Sequence, residues 1–261
     1  MSEKRVVIIT GASRGLGAAT AHWLAKKSCR LLLNARGSEL LEKVAKECRE
    51  LGADTAQVTG DIGDLQVCKT IVDTATNKWG RLDALVNNAA VIDPIGNYTQ
   101  VDIEAWARAM QINLVAPLAL ARLCAPWLMQ SKGKIVNVST GAAVHPLAAW
   151  SAYCASKAGL HHLTRCMAVE QNRIIAVSLR PGVVDTAMQD QIRRDGPAHM
   201  PPDMMQYFNQ LKETGRLEPP EVPAKAMAWL ALYCPPEWSG EMIEYTDERV
   251  VAQAAAVFGD D

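Results

Sequence analysis

The segment RVVIITGASRGLG, residues 5–17, joins a run of β-branched residues to a loop with three glycines. The run at residues 5–10 predicts a buried strand, and Gly11, Gly15 and Gly17 follow it, before a helical pattern that reaches Ala25. Glycine permits a tight turn and lets backbone N–H groups approach a phosphate, to which a helix N-terminus also presents its positive end. This order of elements predicts a dinucleotide-binding unit rather than a plain strand–helix turn.

Strands and helices alternate along the rest of the chain. We predict further strands at residues 30–35, 54–59, 83–87, 134–138, 174–179 and 242–245. We predict the intervening helices at 38–51, opened by a Ser38 cap, at 64–79, capped by Asp64, and at 102–130, 150–170 and 222–232. Such alternation implies an α/β fold with helices on both faces of a parallel sheet, in one domain over residues 1–261.

Composition argues against several classes of function. The 261 residues are 49% hydrophobic with a formal net charge of -1, so no basic excess points to nucleic acid or an anionic membrane. No apolar run approaches the roughly 18 residues that a membrane span needs. The seven cysteines form no C-x-x-C pair or metal-like cluster, and Met1 leads almost directly into the first strand without a signal peptide. We therefore expect reduced thiols in a cytoplasmic protein without a metal site.

Unusual residues stand where the predicted strands end. They are Asp61, Asn88, Ala89, Ser139, Pro181 and Gly182. Ligands of parallel sheets bind outside the carboxyl ends of the strands, near a switch in strand order. We therefore expect a ligand site at this edge of the sheet.

Tyr153 and Lys157, in the stretch YCASK, are four residues apart. On a helix this spacing puts both side chains on one face. An ammonium beside a phenol favours the phenolate and lowers the pKa of the tyrosine. The pair therefore predicts a general acid or base that works near neutral pH. Taken alone, a tyrosine and a lysine at this spacing more often lie on the protein surface without a catalytic role.

The second predicted strand ends at Asn34-Ala35-Arg36, without the acid that bonds the ribose 2′-OH in an NAD site. Arg36 and Arg14 can instead bind a 2′-phosphate. The alternative is two solvated surface arginines. We predict NADP(H) as the cofactor.

Together these motifs resemble the short-chain dehydrogenase/reductase family. The resemblance rests on residues 10–17, residues 87–90, Asn113, Ser139, Tyr153 and Lys157. Later segments at residues 181–189, 211–217 and 240–247 are similar to the sepiapterin reductase and benzil reductase subgroup. The chain departs from the family at Ala90, where glycine is usual, and in a short link at residues 171–173. The resemblance implies a Rossmann-type doubly wound sheet of about seven strands and a homodimer or homotetramer.

The resemblance also implies roles for individual residues. Ser139 would hydrogen-bond the substrate carbonyl, Tyr153 would donate a proton to it, and Lys157 would lower the pKa of Tyr153 and hold the nicotinamide ribose. Asn113 would support a water relay that reaches Lys157, and Asp61 would contact the adenine. The implied cofactor-binding residues are Gly11, Ser13, Arg14, Gly15, Leu16, Gly17, Arg36, Asp61, Asn88, Ala89, Tyr153, Lys157, Pro181, Gly182, Val184 and Thr186.

A methionine-rich segment at about residues 187–216 corresponds to the family's substrate lid. Methionine adapts to irregular apolar shapes, so a bulky or aromatic carbonyl substrate is expected; the alternative is a small satellite core. His145, Trp150 and Met188 are candidate substrate contacts. Asp247 aligns with the residue that anchors the pterin ring in sepiapterin reductase, although it could equally be a surface acid in a C-terminal turn.

Two functions remain open at this point. The first is an NADPH-dependent carbonyl reductase acting on a ketone, diketone or aldehyde, with Tyr153 as the general acid. The second is a non-catalytic NADP(H)-binding regulator on the same fold, which fold alone does not exclude. An activated phenol has no use in a pure sensor, and this favours the enzyme.

Overall fold

A computed structural model describes residues 4–259 of the chain. Met1 and its two neighbours, on which the expectation of no signal peptide rests, lie outside the described residues. The centre of the fold is a seven-stranded sheet in the order β3-β2-β1-β4-β5-β6-β7, with every adjacent pair parallel. Its strands are β1 (Val6–Thr10), β2 (Arg30–Ala35), β3 (Asp54–Thr59), β4 (Ala84–Asn87), β5 (Lys134–Val138), β6 (Ile175–Arg180) and β7 (Met242–Glu244). The predicted doubly wound α/β sheet is confirmed.

Ten α-helices are present among the described residues. They are α1 (Gly15–Ala25), α2 (Ser38–Glu50), α3 (Leu65–Trp79), α4 (Ile103–Met110), α5 (Ala116–Ser131), α6 (Ser151–Glu170), α7 (Ala187–Asp195), α8 (Pro202–Glu213), α9 (Glu221–Tyr233) and α10 (Glu248–Phe258). The central strands are buried on both faces because helices cover both. Val7 and Ile9 face a core with α1, α2, α9 and α10, whereas Val6 and Ile8 face a core with α3 and α5.

The strand order reverses between β1 and β4. Successive strands run outward through β2 and β3 on one side and through β5, β6 and β7 on the other. At such a reversal the connecting segments diverge above the carboxyl ends of the strands, and this leaves a crevice for a ligand. The glycine loop after β1 and the segment after β4 form the two sides of that crevice.

Two local features differ from the sequence prediction, and a third agrees with it. Helix α2 begins at Ser38, but its N-cap is Gly37 and no side chain caps it. The predicted Asp64 cap of α3 is present, since its carboxylate accepts from the N–H of Gln66 at 2.8 Å. The lid segment contains α7 and α8, and the C-terminal segment contains α10, which the sequence interpretation had left unassigned.

The long helix predicted at residues 102–130 is interrupted. A π-helical turn, Gln111–Val115, separates α4 from α5. The whole stretch Ile103–Ser131 has 29 residues and a window of mean hydropathy 1.5, so by length and composition it could cross a membrane. This corrects the expectation that no apolar run is long enough. Core helices pass the same test, and α5 packs its Leu120, Cys124 and Leu128 into the core beside α3.

Candidate active site

One large cavity of about 680 Å³ opens at the carboxyl edge of the sheet. It runs from the glycine loop after β1, past the ends of β4 and β5, to the lid helix α8. Most of the predicted site residues line it: Gly11, Ser13, Arg14, Gly15, Leu16, Gly17, Arg36, Asp61, Asn88, Ala89, Ser139, His145, Trp150, Tyr153, Lys157, Pro181, Gly182, Val184, Thr186 and Met188. The exceptions are Asn113 and Asp247. Parallel strands bring these scattered residues to one edge because their carboxyl ends all meet there.

The glycine loop is packed too closely for larger residues. Gly11 has a φ of +64° and Gly15 a φ of +53°, a region that favours glycine. A Cβ on Gly17 would lie 2.3 Å from the carbonyl oxygen of Gly11 and 2.6 Å from Nδ2 of Asn88. Asn88 Nδ2 itself donates to the carbonyls of Thr10 and Gly11 at 2.9 and 3.1 Å. The amide thus holds the turn in place against β4.

The same loop can accommodate a pyrophosphate. The N-cap of α1 is Arg14, whose side chain makes no capping hydrogen bond, so the first N–H groups of the helix lack that partner. Arg14 and the first residues of α1 line the cavity. Backbone N–H groups at a helix N-terminus, in a loop without Cβ atoms at the closest approach, suit the charge and shape of a dinucleotide phosphate. The residues present therefore fit a nicotinamide dinucleotide.

At the end of the cavity where an adenosine would bind, two arginines have no ion-pair partner in the part of the chain that the structure describes, and one carboxylate has one. Arg14 and Arg36 are exposed, line the cavity, and form no ion pair with any other residue in the described range 4–259. Asp61, in contrast, is paired with Arg108 at 2.6 Å and accepts from the N–H of Gly63 at 2.8 Å. The two arginines are therefore available to an anion, whereas the carboxylate of Asp61 is already neutralised.

Tyr153 and Lys157 lie on α6 with their side chains buried. Tyr153 is 8% exposed and Lys157 is 2% exposed. The Nζ of Lys157 donates to the carbonyl oxygen of Val138 at 2.6 Å and lies 5.9 Å from the centroid of the Tyr153 ring. The helix therefore places the ammonium near the phenol, as the four-residue spacing predicts, and β5 anchors it there.

The pKa values of this pair depart from the prediction. Burial raises the pKa of Tyr153 to about 12, with Cys154 adding to the rise and a hydrogen bond to Thr140 opposing it. Burial also lowers the pKa of Lys157 to about 8. The net shift of Tyr153 is opposite to the predicted one because removal of the hydroxyl from water is the largest effect on it. Tyr153 therefore stays protonated at neutral pH, and a proton donor must be in that form.

Ser139 completes the cluster at the end of β5. It is 2% exposed, and its Oγ has no hydrogen-bond partner among the described residues. A buried hydroxyl without a partner costs free energy unless a ligand supplies one. Because Ser139 and Tyr153 line the same cavity, their two hydroxyls can both donate to one carbonyl oxygen.

Asn113 does not line the cavity. It lies in the π-helical turn, and its amide accepts from the N–H of Val91 at 2.9 Å and donates to the carbonyl of Val91 at 2.8 Å. It also donates to Oγ of Ser156, on α6, at 3.1 Å. The side chain therefore ties the segment after β4 to α6. The water relay that the family resemblance implies stays a prediction.

The lid contributes both a cavity wall and a satellite core. Trp150 stacks on Phe208 of α8, with ring centroids 5.4 Å apart and an interplanar angle of 29°. Its other contact is edge-on to Tyr153, at 5.8 Å and 87°. Apolar lid residues line the cavity, among them Met188, Ile192, Met204, Tyr207 and Phe208. Other apolar lid residues pack in the apolar cluster without lining the cavity, among them Met200, Met205, Leu211 and Leu217. The segment thus forms both a wall of the cavity and a small satellite core, the two alternatives that the sequence left open.

Two candidate substrate residues have different placements. His145 is exposed at the cavity wall. Asp247 does not line the cavity: its carboxylate caps α10 by accepting from the N–H of Arg249 at 2.9 Å, and it pairs with the Arg249 side chain at 2.8 Å. The interpretation of Asp247 as a substrate anchor is therefore corrected. The carboxylate is used by the helix that follows it, which the sequence interpretation had not included.

The structure adds residues to the site that were not among the predicted site residues. They include Gln189 and Tyr245, and Tyr207 and Phe208 of the methionine-rich lid. Gln189 lies three residues after Thr186, and a helical pattern from Thr186 onward would place it on the same face as Ile192. No sequence signal distinguishes Tyr245 from its exposed neighbours.

Comparison with known proteins gives the family. A family model described as short chain dehydrogenase matches residues 5–197. The chain belongs to the short chain dehydrogenase family. The predicted resemblance is confirmed, and the family and the site together indicate an oxidoreductase with a nicotinamide cofactor acting on a CH–OH or C=O group of a small molecule.

Several members of the family are similar over nearly their whole length. A benzil reductase ((S)-benzoin forming) of Saccharomyces cerevisiae is 37% identical, over 94% of this chain and 97% of its own. A benzil reductase of the same description from Bacillus cereus is 32% identical, over 85% and 92%. The crystal structure of another short chain dehydrogenase/reductase from Saccharomyces cerevisiae superposes with a TM-score of 0.90 at 32% identity, covering 95% of this chain and 98% of that one.

Proposed function

We propose that this short chain dehydrogenase is an NADPH-dependent carbonyl reductase whose substrates are bulky aryl ketones, above all aromatic diketones. The observation that carries the proposal is the pair of buried hydroxyls at the end of the cavity. Ser139 Oγ lacks a partner, and Tyr153 is held protonated beside it. Both are hydrogen-bond donors that a carbonyl oxygen would satisfy.

The chain's own residues account for the proton half of the reaction. Ser139 and Tyr153 donate to the carbonyl oxygen and polarise the C=O bond, so that negative charge developing on oxygen is stabilised. Tyr153 then gives its proton to that oxygen, which becomes the product hydroxyl. The phenolate is stabilised by Lys157, whose Nζ is held by Val138, until a proton from solvent restores the phenol. The bound nicotinamide supplies the hydride that the carbonyl carbon receives.

The choice of NADPH rests on Arg14 and Arg36. Both line the cavity without an ion-pair partner in the described chain, and the nearby carboxylate of Asp61 is occupied by Arg108. A 2′-phosphate is a divalent anion that two guanidinium groups can bind through charge-assisted hydrogen bonds. The ribose 2′-OH of NADH would make no comparable contact with them. The free cations therefore support the phosphorylated cofactor.

The choice of aromatic substrates rests on the cavity wall. Trp150, Tyr207 and Phe208 line the cavity with aromatic rings that also contact one another, and Met188 and Met204 line it as well. Aromatic rings pack well against such surfaces, and methionine adapts to their shape. The names of the yeast and Bacillus relatives point to the same class, an aromatic 1,2-diketone.

The free cysteines, most of them buried, support a reducing compartment such as the cytoplasm.

The test is NADPH oxidation with benzil, aryl aldehydes and simple ketones, for the parent and for Tyr153→Phe. We expect turnover in the parent and a loss of about 10²–10⁴-fold in the variant, typical of a general acid. NADPH binding, followed by fluorescence, should be retained. Tyr98→Phe, a change at an exposed tyrosine outside the cavity, is the matched control. A parent that binds NADPH but reduces no carbonyl compound would instead favour the non-catalytic regulator.

A further inference from the structure

Two polar groups in the cavity are left over after the reacting carbonyl has been assigned to Ser139 and Tyr153. They are Nε1 of Trp150 and Oε1 of Gln189. Trp150 is 5% exposed and Gln189 8% exposed, and neither atom has a hydrogen-bond partner within residues 4–259. Both side chains line the same cavity as the catalytic hydroxyls. Buried polar groups in proteins are nearly always paired, so two orphaned groups in one ligand cavity indicate a polar group on the ligand.

The position of Trp150 is enforced by the backbone. Ala149, the residue before it, has a φ of +64°, which is uncommon for a residue other than glycine. The carbonyl of Ala149 accepts from the N–H of Gly96 at 2.8 Å, and this bond holds the strained residue in place. Such strain persists where surrounding structure enforces it, and it concentrates at ligand sites. The indole is thereby fixed between Tyr153 and the lid residue Phe208, on both of which it packs.

We propose that Trp150 and Gln189 form a subsite for a second oxygen of the substrate, on the carbon next to the reacting carbonyl. The indole N–H can only donate, so it requires an acceptor such as a second carbonyl oxygen. The glutamine amide has both N–H donors and an acceptor oxygen, so it can serve a second carbonyl or the hydroxyl of an α-hydroxy ketone. The edge-on contact of Trp150 with Tyr153 sets this subsite beside the proton donor. The subsite selects vicinal diketones over ketones with one oxygen.

This inference rests on the proposed carbonyl reduction and gives its substrate class. A simple ketone would leave the indole N–H and the amide N–H without an acceptor on the ligand, and an unsatisfied buried group lowers affinity for that ligand. A 1,2-diketone accepts from these N–H groups with the oxygen that is not reduced, and Oε1 of Gln189 is left to the hydroxyl of an α-hydroxy ketone, which can donate to it. The same contact fixes which of its two carbonyls faces Ser139 and Tyr153.

The experiment compares benzil with deoxybenzoin, which has the same two aromatic rings and one carbonyl oxygen. Trp150→Phe removes the N–H and keeps an aromatic ring; Gln189→Leu removes the amide and keeps the approximate length. We expect each variant to lose between about fivefold and a hundredfold in kcat/KM for benzil, the range for one buried hydrogen bond. With deoxybenzoin the change should be under about twofold. The ratio of variant to parent is used for each substrate, so that the greater intrinsic reactivity of the diketone cancels.

Gln191→Leu is the matched control, since Gln191 lies on the same helix α7 but outside the cavity, with its amide donating to Asp93. Gln191→Leu should leave kcat/KM unchanged for both benzil and deoxybenzoin. An equal loss on benzil and deoxybenzoin in both cavity variants would overturn the subsite and leave only a packing role, while the carbonyl reductase itself would stand. A parent inactive on every carbonyl compound would instead refute the proposed function. The melting temperature of each variant shows whether it is folded, and the two cavity variants test the subsite independently.

Discussion

Gly17→Ala probes the close packing on which the cofactor loop depends. Gly17 lies in the first turn of α1, and an added Cβ would stand 2.3 Å from the carbonyl oxygen of Gly11 and 2.6 Å from the amide of Asn88. Real Cβ atoms essentially never approach another atom that closely. The amide of Asn88 could rotate, but the Gly11 oxygen belongs to the backbone of the turn. The loop must therefore move away from β4 or the start of α1 must shift.

The magnitude follows from two opposed terms. Alanine is a better helix former than glycine by about 1 kcal/mol. Overpacking against a rigid neighbour costs about 1–3 kcal/mol, and a clash with backbone lies at the upper end. We therefore expect a net loss of about 1–2 kcal/mol in the free energy of unfolding. For a chain of this size that is a fall of roughly 2–8 °C in the melting temperature.

The assay combines thermal unfolding with an NADPH titration by fluorescence. Displacement of the Gly11 turn should also weaken NADPH, because its N–H groups would no longer converge on the pyrophosphate. Gly37→Ala is the control, since a Cβ there meets nothing within 4 Å; it should cost under about 1 kcal/mol as an N-cap change. A Gly17→Ala protein as stable as the parent, with unchanged NADPH affinity, would refute the close-packed loop.

Three further predictions concern the cofactor, the proton donor and assembly. Arg36→Asp should weaken NADPH by tenfold or more and NADH little, since a charge-assisted contact contributes about 1.5–3 kcal/mol; equal effects on both cofactors would contradict a 2′-phosphate site. Because burial lowers the pKa of Lys157 to about 8, its charge is present below that pH and lost above it, so kcat/KM should fall as the pH rises through about 8. A pH–rate profile that stays flat to pH 10 would argue against this. Assembly is supported by three exposed apolar residues, Ile103 on α4, Leu118 on α5 and Val169 on α6, which a two-fold oligomer would cover. Light scattering should show a dimer or tetramer, and Val169→Asp should weaken it. A monomer at every concentration would count against this prediction.

Much of the fold was readable because the local patterns and the tertiary structure agree. The β-branched run before Gly11 needs burial on both faces, and only a sheet covered on both sides provides it. Helix and strand bounds were accurate within a few residues where the period was strong, as in β2, β3 and α3. The C-terminal helix α10 was missed, although Asp247 at its N-cap is the expected type of residue there. The Asp247 carboxylate caps this helix, a local role that does not require a substrate.

The sequence by itself determined which chemistry is available. A glycine loop after a first strand, two arginines without an acid beside the second, and the pair of Tyr153 and Lys157 are short-range or spacing signals, and the family resemblance adds Ser139. Their meaning follows from residue type, because donors, cations and Cβ-free backbone can be identified without coordinates.

Only the tertiary structure decided how that chemistry is tuned and what surrounds it. The pKa of Tyr153 is raised rather than lowered because desolvation depends on the packing of the whole site, which no local pattern records. The pairing of Asp61 with Arg108, 47 residues away, depends on which helix lies beside the end of β3. The orphaned groups of Trp150 and Gln189, on two different segments, line one cavity because the lid packs against the start of α6. Burial and long-range contact are properties of the assembled fold, so residue spacing alone does not reveal them.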